Sequence, residues 1–173
     1  MKRYLVLENG DVFEGEAFGA SGEVISEIVF TTAMTGYLET LTDKSYKGQA
    51  VVQTFPLIGN YGVIPEDREG PAPSVSAYIV REACEEPSNF RCKDTIDNYL
   101  KESGIPELKG IDTRALTRIL REKGVMNGLI TDRLPSDMDK ALKDIAAYRI
   151  VDPVDAVTVP SVEEHDSAEN RYT

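Results

Sequence analysis

Apolar residues change their spacing halfway along the chain, and that change divides the expected elements. In the first half, Tyr4 to Leu7 and Val12 to Phe18 are short strand-like runs flanking Glu8-Asn9-Gly10-Asp11. Asn-Gly supplies the positive backbone angles of a tight turn, so a β-hairpin is predicted to open the fold. Gly19-Ala20-Ser21-Gly22 interrupts the pattern, and Val24 to Thr32, rich in β-branched residues, predicts another strand. Gln49 to Phe55 repeats the signal after the turn residues Thr42 to Ser45. Breakers gather in Pro56 to Gly62 and Pro65 to Pro73, which predicts a long surface loop before a strand over Val75 to Val80.

In the second half the spacing is helical. Asp94 or Thr95 is expected to cap a short helix ending at Gly104, with Ile96, Tyr99 and Leu100 along one side. A stronger helix begins at Asp112, carries Leu116, Ile119 and Leu120 on one side, and stops at Gly124. Val125 to Thr131 predicts a strand, after which Ser136 is expected to cap a third helix with an apolar stripe of Met138, Ala141, Leu142, Ile145 and Ala146. From about Asp152 the periodicity fades, and Pro160 to Thr173 holds four acids against one Arg. The expected product is an α/β domain over residues 1–150, strands first and helices later, with residues 151–173 as a linker or tail.

Composition narrows the function classes. The 173 residues are 41% hydrophobic and 28% charged, with 13 Gly and 9 Pro, which fits a packed globular domain rich in turns and excludes collagen-like or wholly disordered chains. Nineteen Lys and Arg against 30 Asp and Glu leave a net charge of −11, so the average surface repels phosphate backbones and anionic membranes. Neither nucleic acid nor a membrane is an expected partner. No stretch approaches the ~20 apolar residues needed to cross a bilayer, and the first residues lack the features of a signal peptide. Cys84 and Cys92 alone do not make a disulfide framework, so a cytoplasmic location is expected.

Candidate chemistry is sparse. Cys84, Cys92 and His165 lack the paired spacing of a zinc site, so no metal is expected. A triad of Ser45, Asp43 and His165 has no G-x-S-x-G elbow behind it, and the plain alternative for Thr42 to Tyr46 is a turn held by short side-chain hydrogen bonds. Gly19-Ala20-Ser21-Gly22 and Gly59-Asn60-Tyr61-Gly62 lack the full phosphate-binding fingerprints and are expected to be turns. Arg114, Arg118 and Arg121 stand at i, i+4 and i+7 on the Asp112 helix, a basic stripe on an acidic chain. Such a stripe either pairs with local acids or docks a carboxylate-rich protein surface through bidentate contacts.

The unbroken run from Ile28 to Gln49, containing Thr40-Leu41-Thr42-Asp43-Lys44-Ser45-Tyr46, closely resembles the amino-terminal domain of the carbamoyl-phosphate synthase small chain. The resemblance continues in order through Ile58-Gly59-Asn60-Tyr61-Gly62, Ser88-Asn89-Phe90-Arg91, Gly110 to Arg118, and Leu120-Arg121-Glu122-Lys123-Gly124. It spans about residues 4 to 131, and several ordered motifs are more specific than any one of them.

That resemblance implies a swivelling β/β/α fold and a reaction divided between chains. The small chain hydrolyses glutamine, and a large chain, with ATP and magnesium, uses the ammonia and bicarbonate to make carbamoyl phosphate for arginine or pyrimidine synthesis. In the family a glutaminase domain follows this region and supplies a cysteine nucleophile with a His-Glu pair. Neither Cys84 nor Cys92 has the G-x-C-x-G context of that nucleophile, so no catalytic residue and no glutaminase activity are expected in this chain. Ser45 stands where the family places a serine that helps bind glutamine at the glutaminase boundary, whether that domain is joined in cis or in trans. A hydroxyl orients a polar substrate without acting as nucleophile.

The sequence departs from the family pattern at Thr31, Leu38 and Lys44, where Asn, Gln and Pro are common; losing the proline leaves the turn before Ser45 less preorganised. The expected function is therefore a non-catalytic structural and partner-docking part of the synthase small subunit. The alternative is a freestanding interaction or regulatory module with the same fold, and a serine hydrolase using Ser45 is the weakest reading.

Overall fold

The computed structural model describes residues 1–159 and 161–162. Its strands are β1 (Lys2–Leu7), β2 (Val12–Gly19), β3 (Val24–Thr31), β4 (Gln49–Gln53), β5 (Leu57–Ile58), β6 (Ala77–Ile79), β7 (Glu82–Ala83), β8 (Pro106–Lys109) and β9 (Met126–Thr131). The helices are α1 (Tyr37–Thr42), α2 (Ile96–Glu102), α3 (Thr113–Lys123), α4 (Met138–Ala147) and α5 (Pro153–Val157). This is the expected α/β class, with a strand-rich first half and helices later.

Seven strands close into a barrel in the order β1-β2-β8-β6-β4-β3-β9, with β9 returning to β1. Hydrogen bonding around it is of two kinds. Strands β3, β4, β6 and β8 run mutually parallel, whereas β1 and β9 pair antiparallel with their neighbours and β2 pairs antiparallel with β8. Closure leaves no open edge in this sheet.

The predicted hairpin is present. Leu7 N–H donates to the Asp11 carbonyl at 2.9 Å, Gly10 takes φ +90°, and Asn9 Oδ1 accepts from the Asp11 N–H at 3.1 Å. Alternation then assigns side chains to the barrel interior and to two clusters outside it. Leu5, Leu7, Ile28, Ala50, Val52, Ala77, Ile79 and Leu108 point into the barrel, and α3 adds Leu116 and Leu120 to the same cluster. Their immediate neighbours Val51 and Tyr78 face outward into a second core with Leu38 and Leu41 of α1, Ile96 and Leu100 of α2, and Ile64. Val6 and Leu129 likewise face out, under Ile145 of α4.

Close packing explains two glycines. A Cβ on Gly15 would lie 2.3 Å from the Lys109 carbonyl oxygen, and one on Gly128 would lie 2.9 Å from Leu5 and Ile28 side chains.

Three expectations are corrected. The third helix is capped by Asp137, whose Oδ1 accepts from Lys140 N–H at 2.9 Å, one residue after the expected Ser136. The mid-chain loop is more structured than its breakers suggested: β5 pairs with β7 and Pro65–Asp67 forms a 3-10 turn. The first part of the expected linker carries α5, whose residues through Ala156 are exposed. Thr95 and Asp112 cap α2 and α3, accepting from Asn98 N–H at 3.2 Å and Ala115 N–H at 2.9 Å, in keeping with the sequence.

Candidate functional site

Ser45 lies in a 3-10 turn, Lys44–Tyr46, between α1 and β4. Asp43 Oδ1 accepts the Ser45 N–H at 2.8 Å, so the turn is held by a short side-chain hydrogen bond and needs no proline to form. The Ser45 side chain is exposed, and among the described residues its hydroxyl makes no hydrogen bond. It is available to a ligand. His165 of the imagined triad lies outside the described residues.

Two long-range hydrogen bonds place the segment after α4 beside this turn. Tyr148 Oη donates to the Gly48 carbonyl at 3.2 Å, and Lys44 Nζ donates to the Val157 carbonyl at 3.3 Å. The chain leaving α4 therefore runs past the residues on either side of Ser45.

The arginine stripe lies at the other end of β4. Arg114, Arg118 and Arg121 line an open depression of about 600 Å³ together with Arg81, which the sequence reading did not single out. Four threonines, Thr32, Thr54, Thr113 and Thr117, complete most of the wall, and no Asp or Glu lines it. Ser45 precedes the five-residue β4 and Thr54 follows it, so the two features are separated by roughly 16 Å of strand. Sequence spacing predicted the stripe; Arg81 joins it only because β6 lies beside β8, from which the chain passes into α3.

Of the two choices offered for the stripe, pairing with local acids is not met inside the chain. Among the described residues Arg114, Arg118 and Arg121 form no ion pair, while Arg81 has only an exposed contact of 3.9 Å to Glu82. Their charge is left facing solvent.

A second exposed feature is Phe90, 95% accessible in the Ser88-Asn89-Phe90-Arg91 loop. Its backbone is well held. Arg91 donates to both carboxylate oxygens of Asp67 at 3.0 and 3.3 Å, and Asn89 Oδ1 accepts the Arg91 N–H at 2.8 Å. A large aromatic on an anchored loop is characteristic of a contact residue.

Buried polar groups are concentrated elsewhere. Glu107 on β8 is fully buried and neither carboxylate oxygen has a hydrogen-bond partner. Burial, with the Asp97 charge adding to it, pushes its carboxyl well above the usual carboxylate range and so favours the neutral form. Tyr37 and Tyr61 stack at 4.2 Å, with Tyr37 Oη donating to the Gly62 carbonyl at 2.6 Å and Tyr61 Oη accepting from Gly36 N–H at 3.1 Å. These contacts fasten the Gly59 to Gly62 turn to α1. Cys84 and Cys92 are half-buried free thiols, and no group of three or more metal-ligating side chains occurs among the described residues. No helix among them is long and apolar enough to cross a membrane.

Comparison with known proteins identifies the lineage. The family model described as "Carbamoyl-phosphate synthase small chain, CPSase domain" matches residues 5–130. A carbamoyl phosphate synthase small chain of Clostridium perfringens is 56% identical over 130 residues, covering 75% of this chain and 37% of that protein. That of Caldanaerobacter subterraneus is 47% identical over 157 residues, covering 87% and 44%. A pyrimidine-specific small chain of Bacillus subtilis is 52% identical over 143 residues, covering 83% and 39%. The chain thus spans well under half the length of these relatives. Among solved structures, an aminopeptidase from Aneurinibacillus sp. strain AM-1 gives a TM-score of 0.44 at 14% identity, covering 75% of this chain and 30% of that one, and carries no argument here. With most of the barrel, α3 and the Ser45 turn inside the matched region, the chain belongs to the carbamoyl-phosphate synthase small chain family and corresponds to its amino-terminal domain.

Proposed function

We propose that this chain is the structural and docking part of a glutamine-dependent carbamoyl-phosphate synthase small subunit, inactive as a glutaminase by itself. Its task is to present two surfaces. At one end, the Ser45 hydroxyl contacts glutamine at the boundary with a glutaminase domain. At the other, Arg114, Arg118 and Arg121 contact carboxylates of the large chain, which carries ATP and magnesium. Phe90 adds an aromatic contact. The finer swivelling β/β/α assignment rests on the family resemblance, and the cytoplasmic location on the two cysteines and the absence of signal-peptide features in the first residues.

The observation that carries this reading is the path of the segment after α4. Tyr148 and Lys44 tie it, as far as Val157, to the Ser45 turn, so the chain leaving α4 passes beside the residue assigned to glutamine. A hydroxyl placed there orients the amide donor, and a tight boundary keeps released ammonia from protonating and escaping into water. Reconstitution with a glutaminase domain and a large chain tests the assignment. Ser45→Ala is expected to weaken glutamine use more than use of free ammonia; equal loss with both nitrogen donors would overturn the glutamine role.

A further inference from the structure

The depression bearing the arginines occupies a specific place in the barrel. Thr32 follows β3, Thr54 follows β4, Arg81 follows β6, and Thr113 and Arg114 follow β8 through a short turn. These four strands are mutually parallel and adjacent, so their carboxyl ends meet at one rim. Carboxyl ends of parallel strands are where barrels and doubly wound sheets place small-molecule sites, because the loops there converge without competing for the sheet's hydrogen bonds.

Its chemistry selects an anion. Four arginines line it with no carboxylate among the lining residues, on a chain of net charge −11. Apart from the exposed 3.9 Å contact of Arg81 with Glu82, these charges have no ion-pair partner among the described residues; like charges so gathered repel one another, and a ligand carrying more than one negative charge relieves that repulsion. Thr117 also lines the depression, but its Oγ1 is buried out of reach of the open space. Arginines line the space from α3 on one side and from the end of β6 on the other. That distribution suits a tetrahedral oxyanion better than a planar carboxylate with its two oxygens and single charge. The volume, about 600 Å³, lies within the range of small-molecule pockets and leaves room beyond a phosphoryl group.

We propose that this depression is a binding site for a small phosphorylated molecule, with Arg81, Arg114, Arg118 and Arg121 holding its phosphoryl oxygens. The site goes beyond the docking role assigned above to three of the arginines. A phosphoryl ligand contends with the carboxylates of a docked partner for the same groups, so ligand and partner each weaken the other's binding by the same factor.

Titration of the 173-residue chain with inorganic pyrophosphate, followed by calorimetry at constant ionic strength, tests the site without any partner chain. Saturable one-to-one binding is expected, weakened about tenfold or more in Arg118→Gln and in Arg81→Gln, each checked for an unchanged thermal transition without ligand. A triglutamate peptide at matched ionic strength should bind about tenfold more weakly than pyrophosphate. Absence of saturable pyrophosphate binding overturns the proposal, as does binding indifferent to both exposed arginine substitutions. Equal or tighter binding of the peptide also overturns it and leaves the docking role standing; large-chain assembly, measured separately, can fail while pyrophosphate still binds.

Discussion

Arg3 and Asp132 are joined across 129 residues of sequence, with Arg3 Nε donating to Asp132 Oδ1 at 2.7 Å. The guanidinium is 1% exposed, and its Nη1 also donates to the carbonyls of Phe18 at 3.1 Å and Glu107 at 2.9 Å. One side chain on β1 therefore ties the end of β2, the middle of β8 and the residue after β9. Arg3→Met removes the donor for two carbonyls and strands the Asp132 carboxylate, with an expected loss of about 3 kcal/mol in urea unfolding. A change below about 0.5 kcal/mol would show that the three strands are held without it.

Acid stability depends on the same pair. The Arg3 hydrogen bond holds the Asp132 carboxyl below its ordinary value of 3.8. A depressed folded value stabilises the protein above the unfolded value, and that contribution disappears as pH falls through the folded one. Thermal unfolding of the natural chain below pH 4 should therefore lose stability that Asp132→Asn, already without the charge, does not lose.

Glu107 acts in the opposite direction. Its folded value is raised above the ordinary 4.5, so its contribution is fully present below that value and is lost as pH rises toward the raised one. Asp97, Lys109 and Arg3 are the charged groups acting on it, and the Tyr78 phenol also feels its charge. Glu107→Gln keeps the shape without the titration. Its stability relative to the natural chain should increase from pH 5 to pH 8 in parallel denaturant titrations; a constant difference across that range would place the carboxyl in a solvated, ordinary environment.

Glu107 also shows why part of the fold was hidden in the sequence. Strand β8 begins with a proline and carries a buried, unpaired acid, so Pro106-Glu107-Leu108-Lys109 has none of the marks of a barrel strand, although it links β2 to β6. Helix α1 was missed because six residues containing two β-branched threonines present little helical period, and its stability comes from packing of Tyr37, Leu38 and Leu41. By contrast the Asn-Gly hairpin and the caps of α2 and α3 are local chemistry, and they were legible. Ser45 and the three arginines were visible as residues. Arg81 and the threonines were not, since only strand adjacency assembles them.

Phe90 should matter to assembly and not to folding. Being 95% exposed on an anchored loop, its removal in Phe90→Ala is expected to change unfolding free energy by no more than about 0.5 kcal/mol. In complex with a large chain the same substitution should weaken binding by about 1 to 3 kcal/mol. Unchanged binding would remove Phe90 from the contact surface.

The most direct measurement is sedimentation of this chain with a carbamoyl-phosphate synthase large chain, with a glutaminase domain supplied in trans. Co-sedimentation as a stoichiometric complex that dissociates with added salt is the expected result, because the assigned docking groups are exposed arginines. Separate sedimentation of chain and large chain at low salt, with all three components folded, would contradict the docking role and favour a freestanding module of the same fold.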